Sequence, residues 1–385
     1  MNKATSYYLD LIRFIAAMAV FQSHASMGPW TGGFLRQLRP LGMEAVVIFF
    51  VLSGFVIGFV TKEREGSAGI YAVSRLARVY SVCLPALLIT FGLDAMGRSI
   101  NPEFYSGQEA YSPQRVLWLL MAGTTFTTEV WWNHIWIGIN SSYWSMGYEV
   151  PYYVAFGLAM FLPRYHGLAA AALLMAVVGP NVAVLFPVWL LGVICYRVCA
   201  RWPLNPGGGL AVWVASIVGL TAVFFPLREH HALWEDFSFD LSRLRDYGHF
   251  YVTAVLFAAN IVGFRGASPC FESAISKAAN LIRWCAETTF TVYLLHLPVI
   301  QFVAAIEPWP ADSWIRRGSI FVGVPVIVML MAHFIERRKA WWRNLFSGLL
   351  GVMSVTTAPA AKEGHGTATA ARLVEGTTSG TVDRG

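Results

Sequence analysis

The chain has 385 residues, of which 56% are hydrophobic and only 13% are charged, and its formal net charge is +6. Soluble domains carry about 25% charged residues, so this composition excludes an ordinary soluble globule. It predicts an all-α fold, a polytopic bundle of transmembrane helices. The aromatic residues lie inside apolar runs rather than among Lys and Arg, so we expect no nucleic acid partner.

Eleven apolar segments are candidates for a membrane crossing, which takes roughly 20 mostly apolar residues. In chain order they are 8–27, 42–61, 79–97, 115–126, 144–162, 167–182, 184–200, 210–226, 248–264, 286–305 and 315–335. The segment 115–126 is the shortest and runs into a threonine-rich stretch. We expect this segment not to cross, which leaves about ten spans.

The positions of Lys and Arg predict the orientation of the bundle, because cytoplasmic loops are enriched in these residues. The segments 62–78 and 337–339 are both basic. With ten spans both segments lie in the cytoplasm, as do both chain termini, and the acidic loop 227–246 lies outside. Four arginines fit this orientation poorly because it places them outside: Arg36, Arg39, Arg316 and Arg317.

Composition also predicts that the chain is divided into a transmembrane domain and a C-terminal tail. Residues 1–345 hold all the apolar segments and form the transmembrane domain. Residues 346–385 are rich in Thr, Ala and Gly, which predicts a disordered cytoplasmic tail. The five cysteines are odd in number and lack the spacing of a zinc site, so we expect neither a disulfide framework nor a metal.

The first apolar segment carries three ionisable residues, and such residues are costly inside a membrane. Asp10 and Arg13 are three positions apart and can meet on one helix surface. His24 follows Arg13 by eleven positions, about three turns and ~16 Å along the same face. A near-neutral imidazole in a membrane cavity suits acid-base chemistry. The alternative is a polar stripe that only holds helices together.

Two arginines, Arg75 and Arg78, lie at the start of the third span and face the same side of a helix. Guanidinium groups in such a position can grip phosphate groups on the cytoplasmic side. The positive-inside rule explains the same residues without any ligand. Spacing alone leaves both interpretations open.

Three further sets of residues are candidates for a functional or a packing role, one in the second span and two in later spans. Glu149 opens a span among aromatic residues, which suits proton transfer or the orientation of a histidine, although a carboxylate is also favoured at a helix start. His296 precedes Pro298, and we expect it to bond the backbone carbonyl that the proline leaves free. Ser53 and Gly54 predict close helix packing.

Taken together, these segments resemble the integral-membrane acyltransferase 3 family over roughly residues 7 to 345. Six blocks occur in the family's order, and together they are more specific than any one alone. They are 9–13 with His24, 49–55, Arg75 with Arg78, 143–145 with Glu149, 293–296, and 334–336.

The resemblance implies transfer of an acyl group, usually acetyl from acetyl-CoA, to a hydroxyl of a cell-surface or exported carbohydrate. Carried over, His24 is the catalytic base, Arg13 its companion, and Arg75 with Arg78 contact the CoA phosphates, while Glu149 belongs to a further catalytic block. Acetyl-CoA is then the co-substrate and membrane lipid surrounds the enzyme, with no metal required. The resemblance also implies a bacterial inner or plasma membrane.

Residue types alone leave two other classes open. Charges within spans also line the path of a transporter or flippase for a lipid-linked sugar. A scaffold subunit would use the same polar stripe to hold its partners. Aromatic residues at 131, 132, 136 and 144 could stack on sugar rings, but a belt at the membrane interface is the interpretation that we favour.

Overall fold

The computed structural model describes residues 1–107, 111–227 and 247–352, and this part of the chain is built of helices. They are α1 (Lys3–Ala25), α2 (Gly28–Thr31), α3 (Leu41–Glu63), α4 (Ala68–Ile100), α5 (Pro113–Thr125), α6 (Met146–Phe161), α7 (Arg164–Val178), α8 (Pro180–Arg201), α9 (Pro206–Leu227), α10 (Gly248–Lys277), α11 (Ala279–Ile306), α12 (Trp314–Gly318), α13 (Val324–Glu336) and α14 (Lys339–Leu349). A π-helical turn, Ser319–Gly323, joins α12 to α13.

Eight helical stretches of the described residues are long and apolar enough to cross a membrane. They are α1, α3, α4, α8, α9, α10, α11 and the stretch Trp314–Leu349. The helices α6 and α7, of 16 and 15 residues, occupy two further predicted spans. The predicted class, an all-α polytopic transmembrane bundle, is therefore confirmed, and about ten spans agrees with these helices.

The helix α5 enters the bundle without crossing it, as its sequence predicts. Its 13 residues extend ~20 Å at 1.5 Å per residue, less than a hydrocarbon core of ~30 Å. Its last turn lies beside the middle of α4, where the Tyr80 hydroxyl donates to the Thr124 carbonyl at 2.8 Å. The chain then turns back, and the Trp131 amide donates to the carbonyl of Val178 at the end of α7.

The bundle has two ends, which we name after the residues found there. At the arginine end, where α1 and α4 begin, the Asn2 side chain donates to Ser268, and Gly69 packs against Val352. Both the first and the last described residues thus lie at this end, as an even number of crossings requires. At the histidine end, α1 finishes just after His24. Which end faces the cytoplasm stays a prediction from the charges.

Two of the arginines that fit the orientation poorly have a structural role at the histidine end. The Arg316 guanidinium donates to the carbonyls of Trp30, Ala304 and Trp309 at 3.2, 2.7 and 2.7 Å. Arg317 donates to the Thr31 carbonyl at 3.2 Å. These carbonyls belong to helix ends and a loop, whose acceptors need donors. The arginines are thus fixed there by hydrogen bonds that the positive-inside rule does not consider.

The helix α11 forms the centre of the bundle. Its most apolar window is 83% buried, whereas the corresponding windows of α9 and the stretch Trp314–Leu349 are 11% and 22% buried. The sparsely buried helices therefore lie at the periphery, where a membrane protein meets lipid. Because α1 packs along α11, the two helices hold their polar side chains against each other in the interior.

Two predicted features fall partly or wholly outside the described residues. The acidic loop 227–246 lies outside them except for Leu227, and so does the predicted tail beyond residue 352. Within the described part, α14 continues to Leu349, past the boundary predicted at residue 345.

Candidate active site

The first feature of the site is a pair of contacting imidazoles at the histidine end. Nδ1 of His24 lies 2.9 Å from Nε2 of His296 and 3.2 Å from the carbonyl oxygen of Val20. Nδ1 of His296 in turn lies 2.9 Å from the carbonyl oxygen of Val292. His296 is 1% exposed and His24 is half-buried. The two residues are far apart in the chain and meet only because α1 packs on α11.

These contacts assign the protons on both neutral rings, since a carbonyl oxygen can only accept. His296 carries its proton on Nδ1 and donates it to Val292, which leaves its Nε2 as an acceptor. His24 therefore donates from Nδ1, and its own Nε2 keeps a lone pair. Among the described residues, no hydrogen-bond partner is placed on Nε2 of His24. That nitrogen is the atom available to take a proton from a substrate.

The hydrogen-bond partner predicted for His296 is wrong. Pro298 lacks an amide hydrogen and so frees the carbonyl of Leu294. That carbonyl accepts a hydrogen bond from the Asn140 side chain at 2.8 Å, and His296 bonds Val292 instead. The segment that carries Asn140 folds into the bundle after α5, and no local pattern around Pro298 reveals this contact.

A basic cavity of about 550 Å³, which we call the vestibule, opens at the arginine end. Its charged lining comes from α1, α4, α11 and the region from α13 to α14. The cationic residues there are Arg13, Arg78, Arg283, Arg337 and Lys339, and the acidic ones are Asp10, Glu287 and Glu336. The cations outnumber the carboxylates, so an anionic group is favoured here.

A smaller cavity of about 70 Å³, which we call the inner cavity, continues from the vestibule into the bundle. Arg13, Arg78, Thr289 and Phe290 line both cavities, which makes them neighbours. Tyr293 lines the inner cavity and has its ring centroid 6.4 Å from that of His296. Tyr293 therefore lies between the inner cavity and the histidine pair.

The two arginines that the sequence pairs have different surroundings in the structure. Arg78 lines both cavities, and its guanidinium lies over the Phe290 ring. Arg75 lines the inner cavity but not the vestibule, and it forms a 2.6 Å ion pair with Glu65. Both members of that pair are largely buried, at 12% and 9% side-chain exposure. Arg78 is therefore the better placed of the two to meet an anion in the vestibule.

Arg13 and its predicted neighbour meet as the spacing indicates. An oxygen of Asp10 lies 3.2 Å from the Arg13 guanidinium. Asp10 lines only the vestibule, whereas Arg13 lines the vestibule and the inner cavity. Arg13 is therefore at the junction of the two cavities, some three helical turns from His24.

Glu149 lies in the inner cavity, at the start of α6, rather than beside the histidines. One of its carboxylate oxygens accepts hydrogen bonds from Ser53 at 2.7 Å and from the Tyr153 hydroxyl. The Trp189 indole donates to the Ser53 hydroxyl at 3.1 Å and so holds that hydroxyl in place as a donor to Glu149. Glu149 therefore supplies negative charge opposite Arg78. Of the two roles that the sequence offers it, proton transfer stays a prediction, while His24 has His296 rather than Glu149 as its contact.

Sequence reasoning missed several lining residues of the vestibule, above all Arg283 and Lys339. The signal was available, because the basic cluster 337–339 was recognised, but only as a marker of orientation. Glu336, in the last of the six blocks, accepts a hydrogen bond from Thr291 at 3.0 Å and is thereby held at the vestibule. Nothing in the spacing indicates that α13 brings these residues to α4.

The fold and the site define a class, an integral membrane protein with two contacting histidines in its interior and a charged vestibule. The chain belongs to the Acyltransferase domain family, whose model matches residues 6–330. It is also 28% identical over 160 residues to the acyltransferase MdmB of Streptomyces mycarofaciens, a match that covers 40% of this chain and 38% of that protein. No solved structure matches the chain. The chain is therefore a multi-pass membrane protein of an acyltransferase family.

Proposed function

We propose that the protein transfers an acyl group, with acetyl as the first expectation, from acyl-CoA to a hydroxyl of a cell-surface or exported carbohydrate. The observation that carries the proposal is the arrangement of the site. A basic vestibule leads through the inner cavity towards a histidine whose Nε2 has no hydrogen-bond partner among the described residues. That arrangement suits a donor with an anionic head and a long neutral arm that ends in a thioester.

The positive charge of the vestibule supports CoA as the carrier of the acyl group, with its phosphates bound in the vestibule. Phosphate groups bind best to clustered guanidinium and ammonium groups. Arg78, Arg283 and Lys339 supply such groups from three different helices. The inner cavity is lined mostly by aromatic and aliphatic side chains, with Arg75 and Glu149 as its charged residues beyond Arg13 and Arg78. The apolar part of this lining suits an uncharged pantetheine arm.

His24 is the general base of the proposed reaction. Its Nε2 accepts the proton of the acceptor hydroxyl while the hydroxyl oxygen bonds to the thioester carbonyl carbon. The tetrahedral adduct collapses by breaking the carbon–sulfur bond. The proton on Nε2 then passes to the departing CoA sulfur, which restores the neutral imidazole. The products are an ester and free CoA, with no other reactant consumed.

The family resemblance and the place of His24 support a carbohydrate as the acceptor. The histidine pair lies at the end of the bundle opposite the vestibule. With the orientation that the basic loops predict, the acceptor meets His24 near the outer face of the membrane. A sugar on its way to the cell surface passes that face.

The test follows a carbonyl label from acetyl-CoA into base-labile ester on polysaccharide and glycolipid extracted from membranes that contain the protein. His24→Ala is expected to lower ester formation at least ~100-fold, because a general base contributes about 10²–10⁴ to rate. His166→Ala, an exposed histidine of α7, is the matched control and is expected to behave as wild type. Equal labelling by His24→Ala would contradict the mechanism.

The second candidate, a flippase for a lipid-linked sugar, rests on the same charged cavities. It requires substrate movement without chemical change and without acyl-CoA. If no fraction is labelled from acetyl-CoA or longer acyl-CoAs, sugar movement across reconstituted vesicles is the measurement that decides for it.

A further inference from the structure

We infer that His296 is a positioning residue of the acyl transfer, which receives Nδ1–H of His24 and shares the positive charge that forms when His24 takes the substrate proton. The inference rests on the proposed function. The carrying observation is the 2.9 Å contact between Nδ1 of His24 and Nε2 of His296. Neither the resemblance nor the comparisons give His296 a role.

The first step of the argument is the charge that His24 acquires. When Nε2 takes the hydroxyl proton, the ring becomes an imidazolium with both nitrogens as donors. Aromatic side chains surround much of the pair, with Phe21 packed edge-on against the His296 ring and Tyr293 beside it. A cation in such a place is costly unless a partner stabilises it. A second imidazole with a lone pair is such a partner, because a hydrogen bond from a charged donor is stronger than a neutral one.

The second step is that His296 is held ready for this contact. Its Nδ1–H donates to the Val292 carbonyl one turn earlier on α11, which fixes the ring and keeps the lone pair on Nε2. Ser142 approaches the same nitrogen only at 3.4 Å, so the closer neighbour is His24. The arrangement places a neutral imidazole where a catalytic triad has a carboxylate that orients its histidine.

The third step compares His296 with the other acceptor near Nδ1 of His24. The Val20 carbonyl lies 3.2 Å away, farther than His296, and it also accepts the backbone amide of His24 within α1. Val20 alone can keep the proton of His24 on Nδ1. It offers less to the imidazolium, since it lies farther from Nδ1 and one of its two lone pairs is already used by the backbone amide. His296 is therefore expected to matter more for the turnover step than for the resting tautomer.

Two substitutions test the inference. His296→Gln places an amide oxygen near the position of Nε2, and this oxygen still accepts from His24. His296→Leu has similar bulk and no acceptor. We expect kcat to fall at least ~100-fold in the leucine variant and less than ~10-fold in the glutamine variant, by analogy with groups that orient catalytic histidines. The KM for acyl-CoA is expected to stay unchanged in both, because the vestibule does not include His296.

A readout independent of activity accompanies the kinetics. Purified protein with nitrogen-15 histidine in lipid bilayers reports by solid-state NMR whether the proton of His24 resides on Nδ1, and a His24→Asn sample assigns the signal. We expect a strongly hydrogen-bonded Nδ1–H in wild type and in His296→Gln, and a weaker hydrogen bond in His296→Leu. An unchanged signal in the leucine variant overturns the inference.

The kinetic outcomes are equally decisive. Equal kcat values for the leucine variant and wild type would overturn the role of His296 while leaving the proposed function intact, since esters would still form through His24. Equal loss in the glutamine and leucine variants, with intact acyl-CoA binding, would also overturn it. If the NMR contact is present but wild type forms no ester, the proposed function fails and the turnover role of His296 fails with it.

Discussion

Arg75 and Arg78 lie one turn apart on α4 but meet different surroundings. Arg75 forms a short ion pair with Glu65 and lies over the rings of Tyr71 and Tyr153. Arg78 opens onto the vestibule. Removing one partner of an ion pair inside the bundle is destabilising, because it leaves the other charge buried without a partner. A charge that faces a cavity is available to a ligand. The two arginines therefore have different predicted phenotypes.

Arg78→Gln is expected to raise the KM for acyl-CoA by about 10- to 100-fold, because a hydrogen bond to a charged group is worth roughly 1.5–3 kcal/mol. The measurement is initial rate against acyl-CoA concentration in purified membranes.

Arg75→Gln on the same helix is the matched control. It leaves the largely buried Glu65 without its ion-pair partner, so we expect a lower thermal midpoint in detergent and a nearly unchanged KM. If both variants raise KM equally, the two arginines act as a pair on the ligand, as the sequence motif suggests.

At the scale of elements, the helix α3 owes its position to small residues. A Cβ atom on Gly54 would lie 2.0 Å from the Trp189 carbonyl oxygen of α8, and one on Gly192 would lie 2.0 Å from the Val51 carbonyl oxygen of α3. Backbones at this distance leave no room for any side chain. The crossing also brings Trp189 to Ser53, and through Ser53 to Glu149. The close packing of α3 on α8 therefore also positions the side chains that hold Glu149 in the inner cavity.

Gly54→Ala is therefore expected to destabilise the bundle by about 1–3 kcal/mol or more, the usual cost of overpacking. Gly92→Ala on α4 is the control, because a Cβ there meets nothing within 4 Å and alanine favours a helix. Thermal unfolding in detergent measures both. A Gly54→Ala midpoint equal to that of Gly92→Ala would show that α3 and α8 can separate without cost.

At the scale of the whole molecule, the two parts of the site lie at different ends of the bundle, the vestibule at the arginine end and the histidine pair at the histidine end. In the proposed reaction, this separation lets the donor and the acceptor approach from opposite faces of the membrane. It also makes the orientation of the bundle a functional property.

Thiol labelling tests that orientation. Cys270 is exposed near the arginine end of α10, and Trp132 is exposed in the loop that packs against the histidine end of α7. We expect Trp132→Cys in a Cys270→Ser background to react with a membrane-impermeant maleimide in intact cells, and Cys270 to react only after the membrane is opened. The reverse pattern would place the vestibule outside and remove CoA as its ligand.

The sequence by itself determined the class of fold, because hydropathy over 20-residue windows is a local property that lipid enforces on each helix separately. It also placed Arg13 and His24 on one helix face, since the helical period fixes relative direction within a helix. The short segment 115–126 was likewise predicted not to cross, and α5 has too few residues to do so.

Only the tertiary structure decided which side chains meet. His296 contacts His24 across 272 residues, Asn140 takes the carbonyl that Pro298 frees, and Arg75 pairs with Glu65 while Arg78 faces the vestibule. Each of these depends on how two helices, or a returning segment and a helix, pack at a given depth. Helical period gives the face of a residue but not the partner helix or its register, so these contacts had no signal in the spacing.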